Sequence, residues 1–157
     1  MRNAQLYNQI FVYILALVLV SAILIFGYNS IIGLRNRAEK ISCIKMEDDL
    51  KNAVAEILSD YGSTKTKQFQ LCQSYRQICF VETFRNPVLT AGTDPIIKDS
   101  IQSKTGKNAF LVDNIAKESF FIGNISVEPD VLCISSGNNN IRIRLEGKGT
   151  YAIISQA

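Results

Sequence analysis

The sequence predicts an α+β protein in which a long N-terminal helix packs on a small antiparallel β-sheet domain. Three observations predict it. No charged side chain occurs from residue 3 to residue 34. Apolar residues then recur at helical spacing up to Tyr61. Beyond Gly62 the pattern changes to short alternating runs separated by turn residues, as in strands.

The first element is the apolar run Ile10 to Phe26, extended through Gly27-Tyr28-Asn29-Ser30-Ile31-Ile32-Gly33-Leu34. About 20 such residues cross the ~30 Å hydrocarbon core of a bilayer as a helix. Inside lipid no water satisfies the backbone, so a single crossing segment must be helical. The run is longer than the apolar core of a cleaved secretory signal, and the small residues Ser21-Ala22 fall inside it rather than after it. A retained anchor is therefore expected. Tyr7 and Tyr28 stand near its two ends, where amphipathic rings favour the headgroup region.

From Arg35 the texture turns amphipathic. Ile44, Leu50, Val54, Ile57, Leu58 and Tyr61 form an apolar stripe, with Glu47, Asp48, Asp49, Lys51, Asn52 and Glu56 on the other faces. Gly62 is the expected C-terminal stop. One helix is expected from about residue 5 to 60, its first half in lipid and its second half on the soluble domain, with a kink possible near Gly27 and Gly33. The expected divisions are 1–34, leader and transmembrane helix; 35–61, amphipathic continuation; and 62–157, a β-rich domain with one short helix near 95–104.

In that domain Lys67–Leu71 and Gln77–Glu82 read as strands joined through Gln73-Ser74-Tyr75-Arg76, a hairpin or short loop. Asn86-Pro87 breaks the pattern. Asp94-Pro95 caps a short helix from Ile96 to about Ser103: aspartate accepts from free amides, and proline tolerates the first turn. Strands are expected at Ala109–Val112, Glu118–Ile125, Val131–Ser135, Ile141–Glu146 and Tyr151–Ser155. Short turns between successive strands favour antiparallel pairing in a sheet of four to six strands.

Composition restricts function. The chain of 157 residues has a net charge of +3 and no histidine. The commonest general base and metal ligand is thus missing, and no strong polyanion-binding field is implied. No catalytic, cofactor-binding or metal-binding set of residues can be assembled, so no enzyme activity, cofactor, nucleic acid or small-molecule substrate is expected. Gly147-Lys148-Gly149 reads as a turn, lacking the pattern of a phosphate loop. Cysteines stand at 43, 72, 79 and 133. Their spacing is not that of a zinc site. Cys72 and Cys79 bracket the expected hairpin and are the candidate disulfide if the domain faces an oxidising compartment. Arg142 and Arg144 share a strand face and are the candidate partner-binding surface, against the alternative of a solvated face with Glu146. Asn124-Ile125-Ser126 matches the N-glycan acceptor pattern.

Orientation is left in conflict by the sequence. Arg35, Arg37, Lys40 and Lys45 follow the anchor with only Glu39 opposing, whereas Arg2 and the terminal amine precede it, which by the positive-inside rule favours a cytoplasmic domain.

Arg2-Asn3-Ala4-Gln5, then Leu6-Tyr7-Asn8-Gln9 and the apolar run, resemble the N-terminus of archaeal type IV pilin-like proteins and related small single-pass membrane proteins. The resemblance implies cleavage between Ala4 and Gln5 by a dedicated membrane peptidase. It further implies a helix that packs with copies of itself or with other pilin-like subunits, and a small β domain outside the membrane. The partners expected are the lipid bilayer and such subunits. The alternative from the residues alone is a bitopic anchor for a binding or scaffolding module that forms no filament.

Overall fold

A computed structural model describes residues 3–72, 74–82, 87 and 92–157, with side chains from residue 11 onward except that of residue 36. Arg2 of the expected leader, Gln73 of the expected hairpin and Asn86 of the expected chain break lie outside the described residues. The chain divides into two compact units, Met1–Lys40 and Ile41–Ala157.

The architecture is α+β. The first helix, α1, spans Asn3–Ser59. It runs through Gly27 and Gly33 as continuous helix. Within the N-terminal unit, Ser21, one of the few polar residues of the apolar run, donates its hydroxyl to the Leu17 carbonyl at 2.8 Å. That bond keeps the hydroxyl satisfied inside the helix itself.

Among the described residues, eight strands and a second helix follow: β1 Thr64–Gln70, β2 Gln77–Val81, α2 Pro95–Gln102, β3 Ala109–Val112, β4 Ala116–Phe120, β5 Ile125–Val127, β6 Val131–Ser135, β7 Asn140–Gly147 and β8 Ala152–Gln156. They form two four-stranded sheets, one ordered β1-β7-β8-β5 and the other β4-β3-β2-β6. The single sheet of four to six strands is thus corrected to two. The second sheet is antiparallel throughout. The first is mixed, because β5 pairs with β8 in parallel.

The expected strand Glu118–Ile125 is also corrected, for it breaks into β4 and β5. Gly123 stands between them at φ +115°, a conformation that L side chains avoid. Its Cα passes so close to α1 that a Cβ would lie 2.9 Å from Val54 Cγ1.

The two sheets differ in how many faces they bury, and the sequence explains why. Along β7, Ile141, Ile143 and Leu145 are buried and Arg142 and Arg144 exposed, the period-2 pattern of a sheet wet on one side. All four residues of β3, Ala109-Phe110-Leu111-Val112, are buried. The second sheet therefore has two covered faces. Ile78, Phe80, Ala109 and Leu111 join a core with Met46, Leu50, Val54 and Ile57 of α1 and with Ile141, Ile143 and Leu145 of the first sheet. Cys79, Val81, Phe110 and Val112 point the other way and pack with Ile97 of α2.

α2 forms as expected. Asp94 Oδ1 accepts from the Ile96 N–H at 2.8 Å, and Pro95 occupies the first turn. Asp94 Oδ2 accepts from the Ala116 N–H at 3.0 Å, which ties the start of α2 to β4.

α1 ends in a tight turn rather than in a cap that Gly62 closes on the helix itself. The Ser63 N–H donates to the Asp60 carbonyl at 3.1 Å, and Gly62 sits at φ +78°, as the third position of a type II turn requires. The Gly62 N–H donates instead to the Gly147 carbonyl at 2.8 Å, and the Gly147 N–H to the Ser63 carbonyl at 3.0 Å. The end of β7 is thereby stitched to the end of α1.

Candidate functional site

The features that carry functional meaning are an exposed apolar helix surface, two disulfides, a pair of buried polar struts and one charged sheet face.

In the N-terminal unit, α1 is exposed almost without a break from Phe11 to Arg35. Phe26 is 74% exposed, Ile23 69% and Leu17 68%. The stretch from Phe11 to Leu34 spans about 36 Å at 1.5 Å per residue, enough to cross a bilayer core of ~30 Å. Among the described residues this is the one helix long and apolar enough to span a membrane. Exposed apolar patches of this size in general mark membrane or protein contact surfaces. The candidate cleavage position Ala4–Gln5 falls in the first turn of α1 by its backbone; both side chains lie outside the described ones.

In the C-terminal unit the cysteines pair as Cys43–Cys72 and Cys79–Cys133. This overturns the expected Cys72–Cys79 bridge, and the reason is topological. β1 pairs with β7 while β2 pairs with β3 and β6, so the two strands belong to different sheets and form no hairpin. Beyond β1, the Leu71 N–H donates to the Asn139 carbonyl at 2.7 Å, keeping the chain beside β7 as far as Cys72. Cys72 there meets Cys43 on α1, with 5.2 Å between Cα atoms. Cys79 and Cys133 lie directly opposite each other on β2 and β6. The sequence does carry a signal for Cys43: it continues the stripe Met46, Leu50, Val54, Ile57 one turn earlier.

Glu82 and Asn108 are the buried polar residues among those described. Each ties together segments that are separate in the sequence. Glu82 Oε2 accepts from Ser126 Oγ at 2.7 Å and from the Val127 N–H at 3.0 Å, bridging the end of β2 to β5 of the other sheet. Asn108 Nδ2 donates to the Gly123 carbonyl at 2.6 Å, and its Oδ1 accepts from the Ile122 N–H at 3.0 Å. Buried polar groups with every partner in place fix a unique arrangement. Sequence reading missed both residues. Neither stands in a motif, and their partners are 14 to 45 residues distant.

The charged features lie at the surface. On the inner side of β1, Lys65 and Lys67 reach Glu56 of α1 at 2.9 and 2.5 Å, and Lys65 also reaches Asp60 at 3.2 Å. The hydrogen bonds from Lys67 and then Lys65, with the charges behind them, draw the Glu56 carboxyl down to about 2. The Lys65 ammonium is raised, chiefly by Glu56 and next by Asp60. Arg142 and Arg144 project from the opposite side of the same sheet. Gln68 and Thr66 of β1 stand across from them, and Ser155 of β8 is also paired with Arg144. Glu146, further along the strand, is held by Lys148 at 2.5 Å.

Asn124 of the glycan acceptor pattern is exposed just before β5, while Ser126 of that pattern is committed to Glu82. A cleft of about 540 Å3 between α2 and the second sheet is lined by Gln77, Asp94, Ile97, Asn114 and the Cys79–Cys133 pair among others. Its carboxylate, Asp94, already has both oxygens engaged.

No protein-family model, no curated protein and no solved structure matches the chain. The layout of one long apolar N-terminal helix followed by a small β domain is compatible with that of pilin-like proteins.

Proposed function

We propose that the chain is a membrane-anchored structural protein, a pilin-like or pseudopilin-like subunit without enzymatic activity. Its C-terminal unit then lies on the oxidising, extracytoplasmic side. The observation that carries this reading is the uncharged, exposed surface of α1 from Phe11 to Leu34. Such a surface lowers its free energy only by entering lipid or by packing with like helices.

The two disulfides support the outer location, since disulfides persist in oxidising compartments and are rare in the cytosol. They count against the inference from Arg35, Arg37 and Lys40, which is a statistical bias rather than a chemical requirement. In a processed subunit Ala4 precedes the cut and Gln5 becomes the new N-terminus.

A second reading rests on that basic flank: a bitopic anchor whose unprocessed chain holds a scaffolding module in the cytoplasm. Intact-mass measurement on membrane-extracted protein separates the two. A mass lacking the first four residues supports the subunit reading. An intact N-terminus, together with free thiols at all four cysteines, supports the second and overturns the first.

A further inference from the structure

We propose that the C-terminal units of neighbouring copies dock to each other, Arg142 and Arg144 of one copy against Asp48 and Asp49 of the next; this rests on the subunit reading above. The two surfaces are complementary, unneutralised and on opposite sides of one body.

The basic side is built by strand geometry. Arg142 and Arg144 occupy alternate positions on β7, so both guanidinium groups leave the same face, about 6.8 Å apart along the strand. Neither makes an ion pair among the described residues. Their cross-strand neighbours Gln68, Thr66 and Ser155 carry hydroxyls and an amide but no charged side chain, and Ala157, whose N–H donates to the Arg142 carbonyl at 3.4 Å, lies on the β8 side of Arg142. Glu146, on the same face, is paired with Lys148, and Arg144 adds a weaker pull on its carboxyl. Two fork-shaped donors that make no ion pair of their own among the described residues fit carboxylate partners.

The acidic side is built by helix geometry. Met46, Leu50, Ala53, Val54 and Ile57 turn α1 toward the core. By 100° per residue, Asp48 then points directly away from it and Asp49 sideways. Both are exposed and neither makes an ion pair among the described residues, whereas Glu47 beside them is held by Lys51 at 2.6 Å. Lys45, one turn earlier, is exposed and pairs with neither aspartate. It moderates the acidic field without neutralising it. Ile41 and Ile44, exposed at 65% and 60%, stand on the same outward side and supply apolar area beside the charges.

The two surfaces cannot meet within one copy. Lys65 and Lys67 reach Glu56 from the inner side of the first sheet, so that side faces α1. Strand alternation sends Arg142 and Arg144 outward, away from α1. A contact between unlike faces of identical chains is heterologous, and repetition of it gives a ring or an open filament rather than a closed two-fold pair. Exposed ion pairs add little affinity singly. Here they fix register and partner orientation.

The test uses the full chain in phosphatidylcholine vesicles, with a photo-crosslinking residue in place of exposed Thr66, which stands opposite Arg144. Mass spectrometry of the crosslinked peptides is expected to find a second copy's segment containing Asp48 and Asp49. Arg142→Glu with Arg144→Glu is expected to lower that yield by roughly tenfold, and adding Asp48→Lys with Asp49→Lys to restore it. Arg142→Gln with Arg144→Gln, which adds no repulsion, checks that the loss comes from missing attraction. Crosslinks between copies through other segments, or a yield indifferent to these changes, overturn the docking while leaving self-assembly intact. A chain that inserts in vesicles but gives no crosslink between copies at any density, and stays monomeric, overturns both.

Discussion

Cys43 of α1 is bonded to Cys72, two residues beyond the end of β1, across a separation of 29 residues. The bond joins the stretch of helix that packs on the C-terminal unit to the segment bordering the first sheet. A disulfide closing a loop of this size removes denatured-state entropy worth about 3–4 kcal/mol. Cys43→Ala with Cys72→Ala is expected to lower unfolding stability by that amount in denaturant titration of the detergent-solubilised chain. Peptide mapping without reductant should recover Cys43 with Cys72 and Cys79 with Cys133, and no peptide joining Cys72 to Cys79.

Gly147 is where β7 meets the end of α1. A Cβ there would collide with the Ile57 carbonyl oxygen and lie 2.6 Å from that of Asp60. Both obstacles are backbone atoms and cannot swing aside. Gly147→Ala is therefore expected to destabilise the fold by about 3 kcal/mol, whereas Gly137→Ala, with open space around its Cα, should change stability by less than about 0.5 kcal/mol. Thermal melts of the two variants side by side check this.

Asn108 is fully buried and its amide supplies one bond in each sense, to Gly123 and from Ile122. Asn108→Ala leaves the buried Ile122 N–H and the half-buried Gly123 carbonyl without that partner, at a cost of about 1–3 kcal/mol. Hydrogen exchange at Ile122 should rise by a larger factor than exchange at Ile143, which sits in the middle of the first sheet.

Much of this was legible from local pattern. Alternation along Ile141–Leu145 announces one buried face and puts Arg142 and Arg144 outside. The apolar run Ala109–Val112 announces a strand. Asp94-Pro95 announces α2. What local pattern does not contain is sheet membership. Lys67–Leu71 and Gln77–Glu82 are near neighbours in sequence, yet the first pairs with a strand some 70 residues on. That choice is made by packing on α1 and by long-range bonds such as Glu82 to Val127, not by the turn between them. The parallel β5–β8 pair and both disulfides follow from the same non-local choice.

The cluster of Glu56 with Lys67 and Lys65 makes a pH prediction. The folded-state carboxyl is depressed from 4.5 to about 2. A depressed acid contributes stability that is fully present above its unfolded value and is lost as pH falls through the folded one. The contribution should thus fade between pH 4.5 and about 2. Glu56→Gln should flatten the acid limb of a stability-versus-pH curve in this window and leave the neutral limb nearly parallel to that of the parent. Because the pair is exposed, added salt should shrink the difference.

The central claim is that lipid is the natural surrounding of α1 from Phe11 to Leu34. Flotation of the full-length chain with phosphatidylcholine vesicles tests it most directly, with Leu19→Arg plus Ile23→Arg as the comparison. The parent is expected to rise with the vesicles and to remain there after a wash in high salt, while the two arginines, each costing about 2.5–3.5 kcal/mol near mid-bilayer, should reduce the floated fraction sharply. A parent chain that stays at the bottom of the gradient as a monodisperse species without detergent would contradict the account.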